Sequence, residues 1–116
     1  KITQALSLSK AIAPRRRVSM GVYVILSTLT EKGRKVIRDN PEKINEVNEE
    51  VERMGVNILS QYAVFGPYDF VSLLKAESDE LIMRLAIEMT ADGLMTLQTL
   101  PAIHVDRYLE SLKKKR

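Results

Sequence analysis

The fold of this 116-residue chain is decided by one stretch, Val64-Phe65-Gly66-Pro67-Tyr68-Asp69-Phe70-Val71. Apolar runs enter and leave it, and Gly66-Pro67 between them is typical of a turn. Glycine accepts φ values that other residues avoid, and proline fixes its own φ at a turn position. We therefore interpret the stretch as a tight connection between two antiparallel strands, with Asp69 held just past the corner.

The pattern outside this turn predicts a β-α-β-β-α-β order. Strand patterns cover residues 21–29, 56–65, 68–76 and 95–104. Helical patterns fill the two long connections, and Thr30, Asn40 and Ser78 are suitable N-cap residues. A last short helix is expected after Asp106, with Leu109 and Leu112 facing inward. This order predicts an α+β, ferredoxin-like fold, a four-stranded antiparallel sheet with two helices on one face.

Both faces of the predicted sheet are apolar, although helices can cover only one of them. The first strand, residues 21–29, is β-branched and apolar at both parities. A monomer would expose a large apolar patch. The pattern therefore predicts a homodimer, or a higher homo-oligomer, that forms through the free sheet face.

Charge divides the chain into three parts: an N-terminal extension (1–19), a domain (20–112) and a basic tail (113–116). Residues 1–20 carry five basic residues and no acidic ones, and Met20 directly precedes the first strand. Residues 21–112 carry nine basic residues against all 15 acidic ones, a net charge of −6. The acidic domain disfavours nucleic acid as a partner, and the basic ends are expected to be solvated.

Composition also limits the chemistry. The chain has no cysteine, which excludes disulfides and thiolate chemistry and weakly favours the cytoplasm. No apolar run reaches the roughly 20 residues of a membrane span. The five glycines are scattered singly, so no phosphate loop is present, and no motif for a metal or a cofactor occurs.

Several segments in the right order resemble the GYD-domain family. The signature Gly66-x-Tyr68-Asp69 is accompanied by a similar opening strand, residues 23–27, and a similar final strand around Gln98. The resemblance covers about residues 20–110. It implies a dimeric α/β-barrel fold, shared with cofactor-free monooxygenases and with effector-sensing domains of Lrp/AsnC-type regulators. It implies no particular activity.

Polar residues that interrupt the apolar strands are the candidate site. Asp69, His104 and Tyr68 are candidate acid/base groups, although Asp69 can equally accept backbone N–H bonds at the turn. Strand alternation predicts that Tyr68 and Phe70 share one face of the sheet. The candidate ligand-binding residues are Tyr23, Ser27, Tyr62, Tyr68, Asp69, Gln98 and His104, with Asn57 and Gln61 as further polar interruptions.

Two functions follow from these residues. The favoured one is a non-catalytic dimeric module that binds a small apolar ligand or serves as an accessory protein. The alternative is a cofactor-independent oxygenase or isomerase acting on an apolar metabolite in a pocket under the sheet. RNA binding is a weaker third hypothesis, because residues 68–73 only partly resemble an RNA-recognition motif. Asp69 would also place a negative charge on the surface that RNA would contact.

Overall fold

A computed structural model describes residues 20–113 of the chain. The predicted extension, residues 1–19, and residues 114–116 of the predicted tail lie outside the described residues, whereas Lys113 ends the last helix. The elements are β1 (Gly21–Leu29), α1 (Glu31–Asp39), α2 (Lys43–Arg53), β2 (Asn57–Ala63), β3 (Phe70–Ala76), α3 (Asp79–Thr90), β4 (Met95–Ala102) and α4 (Val105–Lys113).

The four strands form one antiparallel sheet in the order β2-β3-β1-β4. This order confirms the ferredoxin-like α+β prediction, with the second and fourth strands at the edges. Pro101 lies in edge strand β4, where its missing amide donor is tolerated. Strand β2 pairs with β3 through an irregularity between Ile58 and Ser60, which shifts its register by one residue.

Local capping explains where two of the helices begin. The Thr30 side chain accepts a hydrogen bond from the Gly33 amide at the start of α1, and Ser78 does the same for Leu81 at the start of α3. Helix α2 begins differently from the prediction. Asn40 and Pro41 form a turn in which their carbonyls accept hydrogen bonds from the amides of Lys43 and Ile44. The helix therefore begins at Lys43, two residues after the predicted start at Pro41.

The core lies between the sheet and helices α2 and α3. Alternate residues of β1 and β3 face these helices, and Leu85 and Val56 are the largest of the fully buried side chains. Burying a side chain of this size stabilises the fold by roughly 1.5–3 kcal/mol. The core cluster consists of Tyr23, Ile25, Val51, Val56, Leu74, Ala76, Ile82 and Leu85.

Helix α4 does not join this core, which corrects the expectation for its apolar residues. Leu109 and Leu112 were predicted to face inward, but they are 46% and 63% exposed. The spacing of Leu109 and Leu112 predicts an apolar stripe along a helix, but spacing alone does not show which element packs against that stripe. Across residues 20–113, no helix combines the length and apolar character needed to cross a membrane.

Candidate functional site

The β2–β3 hairpin is fastened to the end of β1 by Asp69. Its carboxylate Oδ2 accepts a hydrogen bond from the Leu29 amide at 2.7 Å, and its own amide donates to the Ser27 carbonyl at 2.8 Å. Its carbonyl accepts from the Val64 amide at 2.9 Å and closes the hairpin. All three polar groups of Asp69 are therefore used to hold backbone in place.

The hairpin tip presents an aromatic side chain to solvent. Gly66 has φ of 110°, a left-handed conformation that favours glycine, and the Pro67 carbonyl accepts from the Thr28 hydroxyl at 3.3 Å. Phe65 is 97% exposed at this tip. A large apolar side chain held on a pinned turn is preorganised to enter a pocket on another molecule. Sequence reasoning missed Phe65, although an aromatic residue beside a Gly-Pro turn breaks the rule that turns are polar.

Tyr68 lies on the sheet face opposite the helices. Its hydroxyl donates to Gln98 Oε1 at 2.8 Å, and Gln98 is paired with Leu26 on that face. Phe70 instead faces the helices, beneath the sheet. The prediction that Tyr68 and Phe70 share a face was wrong, because residues 64–69 are not strand and the alternation restarts at Phe70.

The face that carries Tyr68, here called the open face, is apolar and uncovered by helices. Tyr62 is paired with Val71 there and is 65% exposed. No charged side chain other than Lys75 interrupts its two central strands. The aliphatic residues on this face are Val22, Val24, Leu26, Val71, Leu73, Leu100 and Ala102.

His104 lies at the other end of the sheet from Asp69. Its Nδ1 accepts a hydrogen bond from the Asp106 amide at 3.0 Å, so His104 takes the N-terminal position of α4 that was predicted for Asp106. Asp69 binds the end of β1 at Leu29, whereas His104 follows Ala102, which pairs with Val22. Leu29 and Val22 are seven positions apart along β1, roughly 23 Å. One chain therefore does not bring the two candidate acid/base groups together.

A cleft of about 400 Å³ near His104 is lined by Tyr23, a buried residue whose hydroxyl is hydrogen-bonded to a carboxylate. The Tyr23 hydroxyl donates to the Asp79 carboxylate in the first turn of α3. This hydrogen bond and, secondly, burial raise the pKa of Tyr23 to about 12. The pair ties β1 to α3 across the core.

Replacing Tyr23 with phenylalanine is expected to lower the free energy of unfolding by about 1–2 kcal/mol at neutral pH, because the bond to an exposed carboxylate is lost. The pKa of Tyr23 is about 10 in the unfolded chain and about 12 in the folded protein. The stabilisation that the Tyr23 hydroxyl gives to the fold is therefore complete below about pH 10 and is lost as the pH rises towards 12. Urea unfolding of both proteins from pH 7 to 11.5 measures this difference. A difference that grows above pH 10 would contradict the assignment.

A cavity of about 70 Å³ lies between the helix-facing side of the sheet and helices α2 and α3. Ser27 and Ser72 line it and are 7% and 6% exposed. Gln61 donates to Ser72 Oγ at 3.1 Å and exchanges two hydrogen bonds with Asn48. The Ser27 hydroxyl has no hydrogen-bond partner within residues 20–113, and a buried group in that state costs about 1–3 kcal/mol.

The predicted ligand-binding residues are thus divided among separate places. Ser27 and Gln61 line the cavity under the sheet, together with Ser72 and Asn48, which the prediction missed. Strand periodicity could have found Ser72, since it alternates with residues of the open face. The remaining candidates lie on the open face (Tyr62, Tyr68, Gln98, Asn57), at the hairpin (Asp69) and in the His104 cleft (Tyr23, His104).

Comparison with known proteins agrees with the sequence resemblance. Residues 23–112 match the model of the GYD domain. A protein of Thermus thermophilus, named glutamine synthetase and cystathionine beta-lyase binding protein, is 42% identical over 95 residues. The aligned region covers 81% of this chain and 100% of that relative. The chain therefore belongs to the GYD domain family.

Proposed function

We propose that this chain is a non-catalytic accessory protein that forms a homodimer and binds an enzyme. The observation that carries the proposal is the exposed Phe65 on a hairpin fixed by Asp69. Aromatic anchors that enter a partner's pocket dominate the energy of many protein interfaces. A pinned turn loses little conformational freedom on binding, so more of that energy appears as affinity.

The partner proposed here is a glutamine synthetase or a cystathionine beta-lyase of the same organism. The name of the Thermus relative supports this choice, since it states that the relative binds both enzymes. The proposed place of action is the cytoplasm, where a chain without disulfides is ordinary.

The proposed homodimer uses the open face of the sheet. A two-fold axis would place Val24 and Leu73, on the central strands, against the same residues of a second copy. The exposed Ile103, which directly follows β4, is proposed to extend this interface. A stable interface buries at least about 1,000 Å² in total, so the proposed interface extends over all four strands of the open face.

The test separates the two surfaces with a pair of variants. Phe65→Ala should weaken binding of the purified enzymes at least tenfold by surface plasmon resonance and leave the dimer intact, since the hairpin tip is outside the open face. Leu73→Glu should turn the dimer into a monomer in light scattering, because it would bury two carboxylates against each other.

Tyr108→Ala serves as the control, because it removes an exposed aromatic residue from α4 instead of the hairpin. It should bind both enzymes as the wild type does. Failure of the wild-type protein to bind either enzyme at micromolar concentration, or undiminished binding by Phe65→Ala, would refute the enzyme-binding proposal. A wild-type monomer at that concentration would refute the dimer.

A further inference from the structure

The cavity under the sheet combines an apolar lining with one unsatisfied hydroxyl. Of its four polar side chains, Asn48, Gln61 and Ser72 are joined in one hydrogen-bonded chain. Gln61 uses both ends of its amide in that chain, so it has no donor left for Ser27. None of the hydrogen bonds found among residues 20–113 involves the buried Ser27 hydroxyl.

Among the residues that the structure describes, no ionisable side chain lines this cavity. A carboxylate or an ammonium group placed beside Ser27 would lose its hydration without gaining an opposite charge. The group that satisfies Ser27 is therefore uncharged. An oxygen of an alcohol, ketone or amide can accept the hydroxyl proton, and the aliphatic walls suit a short alkyl body.

A charged cleft adjoins the cavity and affects which molecules can reach the cavity. This cleft, between α2 and α3, has a volume of about 450 Å³ and shares Val47, Met89 and Met95 with the cavity. Five carboxylates and two cations line it, so it repels anions. The carboxylates belong to Glu46, Glu49, Glu50, Glu88 and Asp92.

We propose that the cavity is a binding site for a small neutral molecule that carries a short alkyl body and one hydrogen-bonding oxygen, which contacts Ser27. The volume of about 70 Å³ is roughly half of that of an apolar cavity that holds benzene, so the buried part has only a few non-hydrogen atoms. This site is separate from Phe65 and from the open face, and the proposal does not depend on either.

The experiment uses isobutyramide as the probe and isobutyrate, of the same shape but charged, as its control. Titration of the ¹⁵N-labelled full chain with isobutyramide should give saturable amide shifts centred on residues 25–29 and 72. Isobutyrate should bind at least about tenfold more weakly, because of the uncharged lining and the acidic cleft.

Two variants test the role of the site, and a third is the matched control. Ser27→Ala should weaken isobutyramide binding about fivefold, the loss of one neutral hydrogen bond. Val47 lies where the cavity adjoins the charged cleft. Val47→Phe should weaken isobutyramide binding more than Ser27→Ala does, although it leaves the Ser27 hydroxyl in place. Ser60→Ala, a serine paired with Leu73 on the open face, should bind as the wild type does.

Three results would overturn the proposal. One is the absence of saturable shifts with isobutyramide, which would mean that water alone satisfies Ser27. The second is equal affinity for the amide and the carboxylate. The third is unchanged affinity in both Ser27→Ala and Val47→Phe, which would place the binding elsewhere.

Discussion

Replacing Gly33 with alanine is expected to lower the free energy of unfolding by about 3–5 kcal/mol, although alanine is normally the better residue inside a helix by about 1 kcal/mol. A Cβ atom at Gly33 would lie 1.9 Å from the Leu94 carbonyl oxygen and 2.9 Å from its carbon. Both obstacles are backbone, so no side-chain rotation relieves the overlap. Helix α1 would have to move away from the loop before β4.

That movement would break the hydrogen bonds that dock the start of α1. The Thr30 amide donates to the Leu94 carbonyl at 3.0 Å, and its hydroxyl donates to the Gly93 carbonyl at 2.6 Å. Overpacking costs roughly 1–3 kcal/mol, and each lost hydrogen bond adds about 1 kcal/mol. Urea unfolding at neutral pH measures the sum.

Gly55→Ala is the matched control for this clash. Gly55 has φ of 93°, and among the described residues, 20–113, no atom outside Gly55 and its chain neighbours lies within 4 Å of the position that a Cβ atom would take. Alanine at Gly55 therefore meets only the backbone penalty of about 1–2 kcal/mol. Gly33→Ala should be clearly the less stable variant. A Gly33→Ala protein as stable as the wild type would show that α1 packs differently against Leu94.

The parts of the fold that the sequence predicted are those that local rules control. Strand β1 has its predicted bounds, residues 21–29, and the caps at Thr30 and Ser78 make the expected hydrogen bonds. The edge position of β4 followed from Pro101 and from the usual strand order of this fold. Each of these depends on a few neighbouring residues or on a common topology.

The candidate site was harder to predict because it depends on contacts between distant residues. The polar strand residues were grouped together, but register places Gln61 under the sheet and Tyr62 on the open face. Strand alternation also failed at Tyr68, where the turn interrupts the period of two. The fit of Gly33 against Leu94 joins residues that are far apart in the sequence, and no local pattern reports it.

Replacing Asp69 with alanine is the second change with a large expected effect. It removes the acceptor for the Leu29 amide, which lies beyond the last β1–β3 pair, Ser27 with Phe70. Because the lost bond is charge-assisted, unfolding should become easier by about 1.5–3 kcal/mol. The hairpin would also lose its attachment to β1, so binding of the proposed enzyme partner through Phe65 should weaken about tenfold.

Asp69→Asn distinguishes a structural role from a chemical one, because its side-chain oxygen can still accept from Leu29. A structural role predicts that it keeps at least half of the stability lost in Asp69→Ala and most of the enzyme binding. If Asp69→Asn were as stable as the wild type but bound the enzymes as poorly as Asp69→Ala, the carboxylate itself would contact the partner. Unfolding and enzyme binding measured on both variants would then assign Asp69 to the interface, and Phe65 would no longer be sufficient as the anchor.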